Sequence, residues 1–121
     1  MSHEVFSPEL EFGSGCDIAI VEHERKVITL AEIKESRLDR RHVLKAIKQL
    51  NESEERLRER YPGYIFKKVL VRDKKGRCPT FSRIPPLLEK DHVDYMTTAN
   101  SEKARRFRNI HRKLTRKARK S

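Results

Sequence analysis

Three charged residues stand in an apolar stretch of the sequence, residues 16–36, which reads CDIAIVEHERKVITLAEIKES. The three are Asp17, Glu32 and Lys34. The β-branched residues around them predict two strands joined by the polar turn HERK. In a hairpin closed over residues 23–26, Asp17 lies opposite Glu32, and Lys34 lies on the same face as both. Two carboxylates at a cross-strand distance of about 5 Å repel each other unless a cation lies between them.

This acidic pair suits a hard divalent cation, because its neighbours on the same face are apolar and place it at the end of a buried surface. Mg²⁺ and Mn²⁺ keep several waters and take one or two carboxylates together with phosphate oxygens. The ammonium of Lys34 can then position or activate a water, or neutralise charge on a phosphate. The alternative is a structural ion-pair cluster at a sheet edge, since 39% of the chain is charged. A one-residue bulge in the hairpin would also separate the three groups.

The flanking sequence predicts the elements that position these residues. The segment HEVFSPELEF is interpreted as an irregular first strand, interrupted at Pro8 and closed by GSG at 13–15. Ser36 is predicted to cap a helix that has Asp39 near its start and that YPG ends at 61–63. YIFKKVLVRD is a further strand, expected to be parallel to a hairpin strand because a helical crossover leads to it.

The remainder predicts a loop, DKKGRCPTFSRIPPLLEKD, then a short strand, HVDYMTT, and a final helix that begins at Asn100 or Ser101. The predicted fold class is α/β, a central mixed sheet flanked by helices, with a basic C-terminal helix. We expect one α/β domain over residues 1–100, followed by the basic helix or tail over residues 101–121.

The positive charge is concentrated at one end of the chain. The formal net charge is +11, and residues 101–121 hold ten Lys and Arg but one Glu. Such an element on a nearly neutral body predicts a polyanionic partner, nucleic acid or an anionic membrane surface. With neither a signal peptide nor a run of 18 apolar residues, the sequence predicts a soluble, cytoplasmic protein that is not secreted and not in a membrane. Cys16 and Cys78 are interpreted as reduced, small apolar residues.

GCDIAIV and ITLAEIKES, with the helix and strand that follow, resemble the PD-(D/E)XK nuclease superfamily. This restriction-endonuclease-like group includes archaeal Holliday junction resolvases and RecB-type nucleases, and the resemblance covers about residues 5–72. It implies that Asp17 and Glu32 bind Mg²⁺ or Mn²⁺, that the carbonyl of Ile33 is a further ligand, and that Lys34 assists the water. Gln49, on the following helix, matches the place where several branches carry a polar residue that touches the site.

The chain departs from that family at two points. Cys16 replaces the Pro of the motif, and the N-terminal helix that often brings one more Glu has no room before Asp17. Glu9 and Glu11, on the expected first strand, are the candidates to replace that acid. If neither reaches the metal, the resemblance implies weak activity or a degenerate version of the fold that only binds.

The leading interpretation is a metal-dependent endonuclease that hydrolyses DNA. The small size of the chain leaves little room for sequence readout, which favours branched or otherwise structured DNA, and a homodimer is expected because cutting two strands needs two sites. The alternatives are a non-catalytic protein that binds DNA or RNA, and an RNA-processing or ribosome-associated factor. The expected nucleic-acid contacts are basic residues after the EIK strand and along the final helix: Arg37, Arg40, Arg41, Lys103, Arg105, Arg106, Arg108, Arg112, Lys113, Arg116 and Lys117.

Overall fold

A computed structural model describes residues 3–35, 39–73, 88–99 and 101–120 of the chain. Its elements are β1 (His3–Phe6), α1 (Pro8–Phe12), β2 (Ile18–Glu22), β3 (Val27–Lys34), α2 (Arg40–Arg60), β4 (Ile65–Arg72), β5 (Val93–Thr97) and α3 (Glu102–Lys120). Within these residues the strands form one five-stranded sheet in the order β1-β2-β3-β4-β5. The β1/β2 and β2/β3 pairs are antiparallel, whereas β3/β4 and β4/β5 are parallel. The predicted α/β class with a mixed sheet is therefore confirmed.

The two long helices cover opposite faces of the sheet. Because side chains alternate along a strand, Leu30 packs on one face with Val43 and Leu50 of α2. Ala31 lies on the other face, in a cluster that includes Phe107 of α3. Phe107 is almost fully buried, so α3 packs against the sheet. Over the described ranges, no helix combines the length and the apolar character that a membrane crossing requires.

The register of the β2/β3 hairpin agrees with the prediction. Glu22 pairs with Val27 and Ile18 pairs with Ala31, across a turn at residues 23–26. No bulge interrupts the pairing between these two positions. The register carries Asp17 to a place opposite Glu32 at the end of the hairpin.

The N-terminal segment differs from the prediction, because residues 8–12 form a helical turn, α1, and do not continue the first strand. Pro8 occupies the first helical position, where its missing N–H costs nothing. The hydroxyl of Ser7 accepts a hydrogen bond from the N–H of Leu10 at 3.3 Å and caps the turn. The sequence Ser-Pro-Glu is thus a helix start.

The start of α2 also differs from the prediction. Asp39, and not Ser36, is the N-cap residue, and its Oδ1 accepts a hydrogen bond from the N–H of His42 at 2.9 Å. The predicted end holds, since Tyr61 is the C-cap. Ser101 caps α3 by accepting from the N–H of Ala104 at 3.1 Å. Residues 36–38, 74–87 and 100, which include Cys78 and most of the predicted loop, lie outside the described residues.

The loop before β2 is fixed to α2 at Ser53. Its hydroxyl accepts a hydrogen bond from the N–H of Cys16 at 2.8 Å. Cys16 is a free, buried cysteine, and burial raises the pKa of its thiol to about 12. This keeps the thiol protonated and unreactive at neutral pH.

Gly15 gives a stability prediction with an internal control. Both Gly13 and Gly15 have positive φ angles, 82° and 114°, but a Cβ at Gly15 would lie 2.6 Å from the Ser53 hydroxyl, whereas one at Gly13 meets nothing within 4 Å. We expect Gly13→Ala to lower the free energy of unfolding by about 1 kcal/mol through backbone strain. Gly15→Ala should lower it by about 2–4 kcal/mol, because overpacking adds to that strain. Urea unfolding of both variants tests this, and equal losses would contradict it.

Candidate functional site

Asp17, Glu32 and Lys34 meet at one edge of the sheet. Asp17 lies just before β2, which is antiparallel to β3, so it reaches the end of β3 that carries the other two. Two hydrogen bonds fix the carboxylates to the backbone: the N–H of Ile33 donates to Asp17 Oδ2 at 2.8 Å, and the N–H of Asp17 donates to Glu32 Oε1 at 3.1 Å. Each side chain is thus held by the backbone of the other strand.

The second oxygen of each carboxylate lies next to a basic side chain. Glu32 Oε2 is 3.6 Å from Lys34 Nζ, and Asp17 Oδ1 is 3.7 Å from His111 Nε2 of α3. Asp17 and Glu32 are only 8% and 2% exposed. The site is a buried acidic pair with one oxygen of each group directed at a basic residue.

Glu9 joins this pair from α1. Its side chain shares a hydrogen bond with that of Asp17, and this bond, followed by burial and the charge of Asp17, raises the pKa of Glu9. Its backbone N–H donates to the carbonyl of Cys16 at 3.1 Å, which places α1 beside the start of the hairpin. Glu11 is exposed, and its charge acts on Tyr61. Of the two candidate acids, Glu9 therefore lies at the site, on a helical turn and not on a strand.

The electrostatics of the site leave Glu32 protonated at neutral pH. Burial is the largest cause that raises the pKa of Glu32 to about 9, and the charge of Asp17 and a hydrogen bond with it add to the effect. The nearby Lys34 opposes the shift. A carboxyl group held neutral in this way can ionise when a cation is added.

This shift predicts how stability depends on pH. Between pH 4.5 and about 9 the unfolded chain releases the Glu32 proton while the folded chain keeps it. The folded state then binds more protons, so the free energy of unfolding falls as pH rises, by up to about 1.4 kcal/mol per pH unit. Glu32→Gln removes this proton but keeps the Oε1 acceptor. We expect the variant to exceed the parent in stability by about 2 kcal/mol or more at pH 8, and by little at pH 5.

Chemical denaturation across pH 5–8 tests this expectation. Glu55→Gln is the control, because Glu55 is an exposed glutamate of α2. A difference between Glu32→Gln and the parent that stays constant with pH would show that the folded chain does not retain the proton.

The other predicted residues either form no hydrogen bond or ion pair with the acidic pair among the described residues, or lie outside the described ranges. Gln49 is partly buried on α2; its Oε1 has no hydrogen-bond partner among the described residues, so none of them ties it to the acidic pair. Arg40 and Arg41 are exposed in the first turn of α2. Arg37 is not among the described residues.

The basic residues of α3 divide into two groups. The first is exposed to solvent and consists of Lys103, Arg106, Lys113, Arg116, Lys117 and Arg119. The second contacts the ends of β4 and β5: Arg105 donates to the carbonyl of Thr98 at 2.9 Å, and Arg108 and Arg112 lie near Asp73. The predicted tail is thus a helix. Arg105, Arg108 and Arg112 of this helix lie at the edge of the sheet, and its other basic residues form an exposed basic surface.

His111 is a residue at the site that sequence reasoning missed. It follows Phe107 by four residues and Ala104 by seven, so it continues the buried stripe of α3. A histidine on an otherwise apolar stripe was the available signal. Which group it contacts depends on how α3 crosses the sheet, which the sequence does not specify.

The donor set fits a cation that keeps its waters. In the described part of the chain, no three His, Cys, Asp or Glu side chains gather closely enough to hold a metal by themselves. The site offers three oxygen atoms: Asp17 Oδ1, Glu32 Oε2 and the carbonyl oxygen of Ile33. This carbonyl points to the same side of β3 as the Ile33 N–H, which donates to Asp17. Oxygen ligands completed by water suit Mg²⁺ or Mn²⁺, whereas structural zinc needs four protein ligands.

Comparison of the chain with protein-family models, with curated proteins and with solved structures gives no match. The function is therefore inferred from the geometry of Asp17, Glu32, Lys34 and their neighbours.

Proposed function

We propose that this chain is a nuclease that hydrolyses phosphodiester bonds in DNA with the help of Mg²⁺ or Mn²⁺. The observation that carries the proposal is the pair of hydrogen bonds that hold Asp17 and Glu32 at the end of the β2/β3 hairpin. They leave one oxygen of each carboxylate without a backbone hydrogen bond, and the free oxygen of Glu32 lies beside Lys34. Two oriented acids and an ammonium group are the components of metal-assisted phosphodiester hydrolysis.

The arrangement of the elements supports a PD-(D/E)XK assignment. The Asp precedes one strand of an antiparallel hairpin and the ExK residues lie on the other, while α2 crosses to a parallel strand, β4. Glu9 stands where the family often has an additional Glu, although it comes from the turn α1 that follows β1. On this proposal the sheet is restriction-endonuclease-like.

In the proposed mechanism Asp17, Glu32 and the Ile33 carbonyl would hold the divalent cation. The cation, when bound, supplies Lewis acidity toward a phosphate oxygen and lowers the pKa of a water. Lys34, beside Glu32, orients the attacking water and stabilises the negative charge that develops on the phosphate. His111 contacts Asp17 Oδ1 and is a positioning residue for that carboxylate.

DNA is the proposed substrate, with branched or otherwise structured DNA favoured by the small size of the chain. The exposed basic residues of α3 supply the attraction to phosphates. A homodimer would bring one proposed catalytic site to each of the two strands of a DNA duplex.

A second candidate function is that of a nucleic-acid-binding protein without catalysis. It is favoured by a specific observation: Lys34 and His111 already supply basic groups to the two outward carboxylate oxygens. Because Glu32 is also protonated, the cluster of Asp17, Glu32 and their basic neighbours needs no metal to balance its charge. The site would then be a structural ion-pair cluster.

A cleavage assay separates the two functions. Linear duplex, single-stranded and branched DNA and RNA are incubated with Mg²⁺, Mn²⁺ or a chelator, and Glu32→Gln protein is prepared in parallel to detect a contaminating nuclease. We expect cleavage of at least one DNA that requires the metal and that the variant lacks. Binding without cleavage of any substrate would favour the second function, and cleavage of RNA alone would overturn the choice of DNA.

A further inference from the structure

A cleft of about 660 Å³ lies beside the acidic site, at the carboxyl ends of the parallel strands. Its lining includes a residue after each of β3, β4 and β5 and one side of α3: Glu35, Asp73, Thr98, Arg105, Arg108 and Arg112. The N–H of Asp73 donates to the carbonyl of Lys34 at 2.8 Å. The cleft and the proposed catalytic site thus share the end of β3.

Asp73 organises the floor of this cleft. Its Oδ1 accepts a hydrogen bond from the hydroxyl of Thr98 at 3.0 Å. The same carboxylate lies 3.6 Å from Arg108 and 3.8 Å from Arg112. Arg105 is fixed to the carbonyl of Thr98. One partly buried acid therefore holds two guanidinium groups over the ends of β4 and β5, next to a third.

The two guanidinium groups near Asp73 retain donors for a ligand, with Arg108 Nε donating to Asn109 Oδ1 at 3.4 Å and its terminal N–H groups remaining. Distances of 3.6 and 3.8 Å are longer than a hydrogen bond, so the attraction to Asp73 is mainly electrostatic. A guanidinium carries five N–H donors, and Arg112 is 56% exposed. Its planar fork matches the oxygens of a phosphate, with which it forms two parallel hydrogen bonds.

The helix α3 connects this cleft to the acidic site. His111 contacts Asp17, while Arg108 and Arg112, three residues before it and one after it, lie near Asp73. Residues three or four apart share a helix face. A single rigid element therefore presents one group to the acidic pair and two to the cleft, along the same edge of the sheet.

We propose that the Arg108/Arg112 cleft binds a backbone phosphate of the nucleic acid, close in the chain to the phosphate at the Asp17–Glu32 site. The choice of nucleic acid as ligand rests on the proposed function, whereas the anion chemistry of the cleft does not. Asp73 positions the two guanidinium groups, and the ligand phosphate takes the donors that point away from it. The acidic pair then holds one phosphate through a bound cation, and the arginines of the cleft hold the neighbouring phosphate directly.

The first experiment observes the arginine Nε–Hε resonances of the full-length protein by NMR in chelator, so that cleavage plays no part. Inorganic phosphate and then a short single-stranded DNA are titrated. We expect the Arg108 and Arg112 signals to shift and saturate with both, at a concentration at least ten-fold lower for the DNA. Arg106 and Arg116, exposed on the same helix, should shift little with phosphate. Equal, unsaturated shifts of all four would overturn the proposal.

Variants give the second measurement. Arg108→Gln with Arg112→Gln should weaken binding of the DNA at least ten-fold in chelator, whereas Lys45→Gln with Lys48→Gln, two exposed cations of α2, should weaken it about three-fold or less. Both pairs remove two charges from the chain. Equal weakening would show a diffuse basic surface and no cleft site. Saturable binding of inorganic phosphate without a response to DNA would overturn nucleic acid as the ligand. Absence of cleavage by the parent would overturn the proposed function and leave the phosphate result intact.

Discussion

On the proposed nuclease function, Glu32→Gln and Asp17→Asn are each expected to lower metal-dependent cleavage by about 10³-fold or more, because each removes a negative charge that the proposed cation site requires. The substitutions keep the size of the side chain and its acceptor oxygen, so the hydrogen bonds from Asp17 N–H and Ile33 N–H can persist. Titration with Mn²⁺ by calorimetry should show weaker binding for both variants. DNA binding in chelator should be unchanged or tighter for Asp17→Asn, which loses a repulsive charge. It should be unchanged for Glu32→Gln, because Glu32 is already protonated when no metal is bound.

Lys34→Ala separates the role of the ammonium from that of the carboxylates. It removes the group 3.6 Å from Glu32 Oε2 but leaves both acids in place. We expect cleavage to fall by about 10²-fold or more, on the scale of a general acid-base or electrostatic group. Metal binding should be retained, since no ligand is lost.

Glu11→Gln is the matched control for this series, because Glu11 is an exposed acid two residues from Glu9 on the same turn. It should cleave like the parent, whereas Glu9→Gln should be impaired if Glu9 supports the metal. Cleavage by Glu32→Gln at the rate of the parent would refute the nuclease proposal. Loss of metal binding in Lys34→Ala would contradict the division of roles.

The hairpin could be predicted from the sequence because two rules act together on it. Runs of β-branched and apolar residues predict β2 and β3, and a polar turn at 23–26 fixes which residues pair. Asp17 and Glu32 then face each other by counting alone. The parallel placement of β4 followed from the helix between the strands, since such a connection returns to the same direction.

The N-terminal turn was missed for a local reason and the helix contacts for a global one. Ser7 and Pro8 start a helix, but a five-residue helix is too short to show apolar periodicity, so the segment resembled a broken strand. The contacts of α3 depend on its crossing over the sheet, which no local pattern encodes. His111 near Asp17, and Arg108 near Asp73, join residues 94 and 35 positions apart in the chain.

The packing of α3 also determines how its basic charge can be tested. Ala104 and Phe107 are buried against the sheet, so removing residues 101–121 would expose Val69 and Val71 and destabilise the fold. Substituting the exposed cations avoids this problem. The test set is the outward-facing group Arg106, Lys113, Arg116 and Lys117, each changed to Gln.

If the parent contacts about six phosphates of duplex DNA, its affinity should fall by about 10³-fold between 50 and 200 mM salt, because each contact releases counterions. Removing four of these contacts should reduce that fall to about ten-fold and lower the slope of log K against log salt by about 3–4.

The control changes four exposed cations of α2 and β4 to Gln: Lys45, Lys48, Arg60 and Lys67. It removes the same charge from the chain, so net charge alone would alter both variants equally. A smaller slope in the α3 variant, with the control close to the parent, would locate the phosphate contacts on α3. Equal slopes in the two variants would contradict this location, and an unchanged slope in the α3 variant would place the DNA on another surface.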